Sequence, residues 1–239
     1  MLSVARSRIL CSGVMIFALM LCAPFAFAGT VDIFSSTTGT NNQTGTDIAI
    51  PVSPAWAPSG PGYEWISYGN TGCNTFVALT GRCTPGPQNP AGASGPLTSS
   101  NITATFYQTF TVTDTFDSGT LNVWADDTAS VYLDNGTVSS GDGSSGELLV
   151  TANPILNTNC GDPPAPGCLP GMQFSTFLDL PTGTYTLVVD AYQLVGGSPF
   201  GVMYDAALSN NTVPEPASFM LMGLGLAGLG VVIRRRKRA

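Results

Sequence analysis

Four segments of the chain, 106–112, 120–125, 129–133 and 185–192, are rich in aromatic and β-branched residues and alternate in part between apolar and polar positions. A period of two is the mark of a strand with one buried and one wet face, so each is expected as a strand of a half-buried sheet. Turn-forming clusters stand between them: Asp117-Ser118-Gly119, Asp134-Asn135-Gly136, Pro181-Thr182-Gly183 and Gly196-Gly197. Glycine opens left-handed conformations, proline fixes φ, and Asp or Asn side chains bond their own backbone, so these clusters predict reversals. Nothing in residues 29–211 sustains a helical period. Roughly 180 residues can bury one sizeable core, and several short strands with loop insertions predict a single all-β domain, an antiparallel β-sandwich. Residues 35–96 hold Trp56, Trp65 and Tyr68 among many prolines and glycines and are expected as a decorated edge of that sandwich.

The pattern changes character at both ends. Arg6 and Arg8 precede an apolar stretch over 9–27, and Ala26-Phe27-Ala28 places small residues where a signal peptidase reads. Residues 1–28 are therefore expected as a signal peptide cleaved after Ala28. Leu21 stands before Cys22 where a lipobox wants a small side chain, which argues against lipidation. Farther on, residues 217–233 are seventeen positions without a charge. At ~1.5 Å per helical residue they reach roughly 25 Å against a hydrocarbon core of about 30 Å, a marginal but sufficient single transmembrane helix. Arg234, Arg235, Arg236, Lys237 and Arg238 follow directly. They should stay cytoplasmic, which puts everything before Val213 on the far side of the membrane. Pro214 and Pro216 lack amide protons and hold their own φ angles, so they leave an extended peptide around Glu215 at the membrane surface.

Val213-Pro214-Glu215-Pro216, one short span and an arginine-rich end, in that order, resemble the PEP-CTERM sorting signal of exported proteins of Gram-negative bacteria. The resemblance covers residues 212–239 and implies processing by exosortase, a membrane cysteine protease that recognises the Pro-Glu-Pro triplet. It further implies export across the inner membrane, transient anchoring through the C-terminal helix, and a final place at the cell surface or in the extracellular matrix. The plain alternative is an anchor that is never cut.

Charge sharpens the picture of the body. Of eight basic residues, Arg82 is the only one within residues 29–211, against fourteen carboxylates between Asp32 and Asp205. Such a surface repels phosphate backbones, which excludes nucleic acid as a partner. It equally gives no direct charge pairing to anionic lipid or acidic polysaccharide, and leaves neutral sugars, divalent cations and basic partners.

Cys11 and Cys22 fall in the signal peptide, and the body keeps Cys73, Cys83, Cys160 and Cys168. Four cysteines permit three pairings; the spacing favours Cys73 with Cys83 and Cys160 with Cys168, each closing a short loop. A zinc site is the rival, but the chain has no histidine and no C-x-x-C spacing.

The segment Trp124 to Gly136 reads as strand, acidic turn, strand, and resembles that unit of galactose-binding-like jelly-roll domains. Residues 181–189 resemble the penultimate strand of such domains, and 201–208 would then be the last; the resemblance implies a jelly-roll-like sandwich. Asp126, Asp127, Asp134 and the Asn135 carbonyl are hard oxygen ligands of the kind calcium takes, six to eight at ~2.3–2.6 Å. The metal-free alternative, preferred here, is an Asx-type turn at Asp126-Asp127 and a hairpin turn at Asp134-Asn135-Gly136.

Without histidine there is no imidazole base, which removes Ser-His-Asp and Cys-His arrangements. Only carboxylate chemistry such as Glu64, Glu147 or an aspartate pair in a glycosidase is left, and no cofactor other than calcium is implied. The expected role is therefore non-catalytic: a structural or adhesive surface protein of an exopolysaccharide matrix. The alternative is a carbohydrate-binding module in which exposed Trp56, Tyr63, Trp65 or Tyr68 stack on neutral sugar rings.

Overall fold

The alternation in the sequence folds into two antiparallel sheets packed face to face. The computed structural model describes residues 30–80, 82–88, 90–92, 97–113, 117–152, 166–194, 196, 198–210, 223, 225 and 234. Five short strands come first after the opening one: β1 (Thr30–Phe34), β2 (Thr40–Asn41), β3 (Ile48–Ala49), β4 (Ile66–Ser67), β5 (Cys73–Val77) and β6 (Arg82–Pro85). The long ones follow: β7 (Ala104–Val112), β8 (Asp117–Asp126), β9 (Thr128–Asn135), β10 (Glu147–Val150), β11 (Phe174–Leu180), β12 (Gly183–Tyr192) and β13 (Gly201–Asn210).

One sheet has six strands in the order β11-β8-β13-β4-β3, with β1 also paired to β13; the other has five in the order β10-β9-β12-β7-β2. Strands β5 and β6 form a separate hairpin, tied by a disulfide between Cys73 and Cys83. Alternate residues turn inward from both sheets: Phe106 and Phe110 on β7, Leu121 and Val123 on β8, Val131 on β9, Leu187 and Val189 on β12, Val202 and Tyr204 on β13. They form one continuous cluster, as two facing pleated surfaces require. All of these strands lie within one unit, Gly29–Asn210.

Three expected turns come out differently. Asp117-Ser118-Gly119 is no reversal; it opens β8 and pairs with Leu180, Asp179 and Leu178 on one side and with Asn210, Ser209 and Leu208 on the other. Gly119 is there for close approach, since a Cβ on it would lie 2.2 Å from the Ala207 carbonyl oxygen. The acidic turn Asp126-Asp127 is a corner at which the chain leaves the six-stranded sheet and enters the five-stranded one. Asp134-Asn135-Gly136 is no tight hairpin either. Strand β9 runs to Asn135, Gly136 takes φ 101°, and a long strap, residues 136–146, intervenes before β10.

The signal-peptide residues Ala26 and Ala28, the motif Val213 to Pro216, and Arg235 to Arg238 lie outside the described residues. So do Cys160 and nearly all of the expected span; Gly223, Gly225 and Arg234 are helical. Among the described residues no helix is long and apolar enough to cross a membrane.

Candidate functional site

The outward faces of the two sheets are covered by different chemistry. Over the six-stranded sheet, Trp124 of β8 and Met203 of β13 point away from the main core. They are capped by Ile50, Trp56, Ala57, Trp65 and Cys168 in a second hydrophobic cluster. Trp65 is fully buried, donates its indole N–H to the Ala57 carbonyl at 2.9 Å, and packs 4.4 Å from the Trp56 ring. Tyr63 stacks on Trp124 with ring planes 8° apart. Tyr68 lies half buried against Phe200 and donates its hydroxyl to the Gln88 carbonyl. The sequence reading offered Trp56, Trp65 and Tyr68 as exposed sugar platforms; the structure corrects this for both tryptophans, whose large apolar rings gain more by covering a sheet face than by waiting in water.

Over the five-stranded sheet the outward positions of β7, β9 and β12 are mostly polar, and several of them are covered. Thr105, Tyr107, Ser130, Thr186, Asp190 and Tyr192 are all buried there. The strap 136–146 lies across them and is tied down residue by residue. Asp190 accepts from Thr105 Oγ1 at 2.8 Å and from the Gly143 amide at 3.1 Å. Tyr107 donates to the Gly141 carbonyl. Thr186 donates to the Gly136 carbonyl at 2.8 Å and accepts from the Val138 amide at 3.0 Å. Gly143 is needed at the contact, because a Cβ would fall 2.3 Å from the Tyr132 ring.

Beside the strap the same face opens into a cleft of about 410 Å³, within the usual range of ligand sites. Its floor is Ser130, Tyr132, Asp190 and Tyr192; the strap contributes Asp142 and Ser144, and Leu97, Ile102, Leu148 and Ala152 add apolar wall. Burial pushes the Tyr192 hydroxyl up to about 12, helped by the charges of Asp190, Tyr132 and Asp142 and opposed by a hydrogen bond with Ser130. Tyr192 is thus a neutral hydrogen-bonding group at any ordinary pH. Burial likewise pushes the Asp190 carboxyl up, against the pull of its bonds to Thr105 and Gly143. Hydroxyls and a partly exposed carboxylate set among apolar side chains suit a neutral ligand that itself alternates hydroxyl groups with apolar C–H surface, and repel anions.

The three aspartates considered for calcium are not brought together. Asp126 and Asp127 sit buried at the corner between the sheets, whereas Asp134 is at the opposite end of β9, seven residues or ~23 Å away by strand rise. Asp127 accepts from the Leu194 amide at 2.7 Å, and Asp126 bonds Asp127. Burial, then the neighbouring Asp127 charge, push the Asp126 carboxyl well above the usual carboxylate range. Asp134 accepts from Ser145 at 3.0 Å. Among the described residues no group of three acidic or cysteine side chains is placed to hold a metal ion. Cys168 is disulfide-bonded.

Sequence reasoning missed Tyr132, Asp142, Asp190 and Tyr192. One signal was present: Asp190 interrupts the otherwise apolar run Leu187-Val188-Val189 and Ala191, and a lone acid in such a strand needs a partner laid over it.

The geometry defines a β-sandwich with one dry and one polar outward face, the polar one carrying a cleft. Residues 212–237 match the PEP-CTERM protein-sorting motif, so the chain carries that motif. It indicates export and exosortase-mediated sorting to the cell surface. No curated protein matches the chain. Among solved structures, a family 35 carbohydrate binding module from Clostridium thermocellum is similar at 9% identity and TM-score 0.34, covering 74% of this chain and 97% of that one. The K1 cleaved adhesin domain of Lys-gingipain from Porphyromonas gingivalis W83 is similar at 13% identity and TM-score 0.36, covering 77% and 99%. Likeness at that level bears on neither the ligand nor the mechanism of this chain.

Proposed function

We propose that this chain is an exported, exosortase-sorted protein of the cell surface or extracellular matrix, with a non-catalytic structural or adhesive role in exopolysaccharide. The supporting observation is the sorting motif at residues 212–237, attached to a body with no histidine and a single base. In this reading residues 1–28 are a signal peptide removed by signal peptidase, 29–211 a jelly-roll-like sandwich, and 212–239 a sorting tail that holds the inner membrane through one helix until exosortase cuts it. The body works without a cofactor, so its melting temperature is expected to be the same in millimolar calcium and in chelator. Intact-mass measurement of the mature protein from its native host tests the reading: an N-terminus at Gly29 and loss of the tail are expected. A product ending in Arg238-Ala239 would overturn the sorting.

A second reading, a module for neutral glycans, is favoured by one observation, the amphipathic cleft beside the strap. Its contacts would come from Tyr132, Tyr192 and Asp142 rather than from the tryptophans. A glycan array with the purified body tests it; no retention on any neutral glycan contradicts it.

A further inference from the structure

Two surfaces at opposite ends of the sandwich take no part in the cleft beside the strap. The first is the tip of the β5–β6 hairpin. Its root is bonded through the Cys73 amide to the Pro51 carbonyl at 2.7 Å and through the Gly86 amide to the Gly72 carbonyl at 3.0 Å. Phe200, which precedes β13, donates its amide to the neighbouring Thr71 carbonyl, so the hairpin leaves from the Gly201 end of that strand. The Cys73–Cys83 disulfide ties the two strands together and holds the tip as one piece. Phe76 and Val77 are exposed there, and Leu79 is fully exposed at 100%. Arg82, also exposed, is the only base of residues 29–211. A rigid apolar projection with a lone cation on an otherwise acidic body is unlike a solvated loop.

The second surface is a cleft of about 400 Å³ between the ends of β9, β10 and β11 and the start of β12. Leu133, Leu180, Pro181 and Tyr185 give it apolar walls, and Asp134, Glu147 and Asp179 line it with three carboxylates. Asp134 is buried, and its Oδ2 has no hydrogen-bond partner. An unpartnered buried carboxylate oxygen is costly, and a cationic donor entering the cleft relieves that cost. The position is equally telling. Leu180 pairs with Asp117, which in turn pairs with Asn210, whereas Gly201 pairs with Asp126 at the other end. Hairpin root and cleft are therefore separated by the length of a ten-residue strand, ~30 Å.

We propose that the β5–β6 tip of one copy docks into the β9–β12 cleft of the next, with Leu79 against the apolar walls and the Arg82 guanidinium facing the carboxylates of Asp134, Glu147 and Asp179. Charge complementarity selects the partner. The tip needs an acidic, partly apolar recess and the cleft needs a cation on an apolar projection; this chain carries one of each, and every copy is delivered to the same surface. The two surfaces differ and lie at opposite ends of the sandwich, so the contact is proposed as head-to-tail, and its repetition gives an open chain of bodies. A tip of this size buries little area, so single contacts are weak and assembly needs the high local density of a surface. The inference does not depend on whether the cleft beside the strap takes a glycan.

Sedimentation velocity of the 29–211 body over a wide concentration range tests it; this segment contains every described strand and forms one compact unit. The average mass is expected to rise continuously with concentration and to fall at high salt. Arg82→Glu should weaken association at least tenfold without shifting the melting temperature, and Leu79→Asp should do the same. Combining Arg82→Glu with Glu147→Arg should restore part of it, which loss of folding could not do. A body that stays monomeric at every concentration overturns the proposal, as does growth that stops at a dimer or association indifferent to both tip substitutions.

Discussion

The outward face of the six-stranded sheet is closed by Trp56, Trp65 and Trp124, while that of the five-stranded sheet is closed by a strap bonded to Thr105, Tyr107, Thr186 and Asp190. Both coverings bury a sheet face, but by unlike means. Tryptophan covers a surface by area alone and leaves no polar group to spare except its indole N–H, which Trp65 gives to Ala57. A strap held by individual hydrogen bonds covers only where a donor meets an acceptor, and where it stops it leaves a cleft with hydroxyls and carboxylates already in place. The most aromatic region of the molecule is thus a structural one, and the open cleft lies on the other face.

Substitutions should separate the two faces by size of effect. The largest falls on the dry face: Trp65→Ala removes a fully buried ring and should cost about 3–5 kcal/mol, read as a fall in the denaturant midpoint. Next is the clasp of the polar face. Asp190→Ala deprives Thr105 and the Gly143 amide of their acceptor and should cost roughly 2 kcal/mol, with faster hydrogen exchange at Gly143 than elsewhere in the sheet. If Asp190→Ala left exchange in the strap unchanged, the covering would not be held as described.

Two buried carboxyls, Asp126 at the corner between the sheets and Asp47 just before β3, predict a pH dependence. Asp126 is pushed up by burial and by Asp127, and Asp47, buried and opposed only by a bond from Asn41, is pushed up to about 6. Carboxyls whose folded-state values exceed the unfolded ones bind protons more tightly when folded. Their stabilising effect is complete below the unfolded value of 3.8 and is lost as pH rises through the folded value, about 6 for Asp47. Stability should therefore decline between pH 4 and 6 and onward, and Asp126→Asn, which keeps a donor toward Asp127, should flatten part of the decline. Urea midpoints measured across that range check it; a midpoint that climbs steadily with pH contradicts it. The smallest stability effect belongs to Tyr132→Ala, within about 1 kcal/mol, because that side chain is only half buried at the cleft.

Much of the fold was legible in the amino-acid pattern because its long strands bury one face each. The expected segments 106–112, 120–125, 129–133 and 185–192 all fall inside β7, β8, β9 and β12, and the Cys73–Cys83 pairing is present. What the pattern concealed was tertiary. Gly119 reads as a turn residue but serves to let the Ala207 carbonyl approach. Asp126-Asp127 reads as a local Asx-type turn, yet its flanking strands belong to different sheets, which no local signal distinguishes. The candidate site was hidden for the same reason. Tyr192, Asp190 and Tyr132 lie on two strands, and their meeting with Asp142 of the strap depends on β9 and β12 pairing side by side. The sorting motif was plain because its meaning is carried by contiguous residues, 212–237, and not by folding.

The second reading, that the body holds a neutral matrix polysaccharide through the cleft on its polar face, is tested most directly by retention of the mature protein on exopolysaccharide isolated from its own host. The wild-type body should be retained, Tyr132→Ala should lose at least tenfold in retention while melting close to wild type, and conservative Trp56→Phe on the dry face should be retained as the wild type is. Absence of retention, or retention that Tyr132→Ala leaves unchanged, would contradict the account.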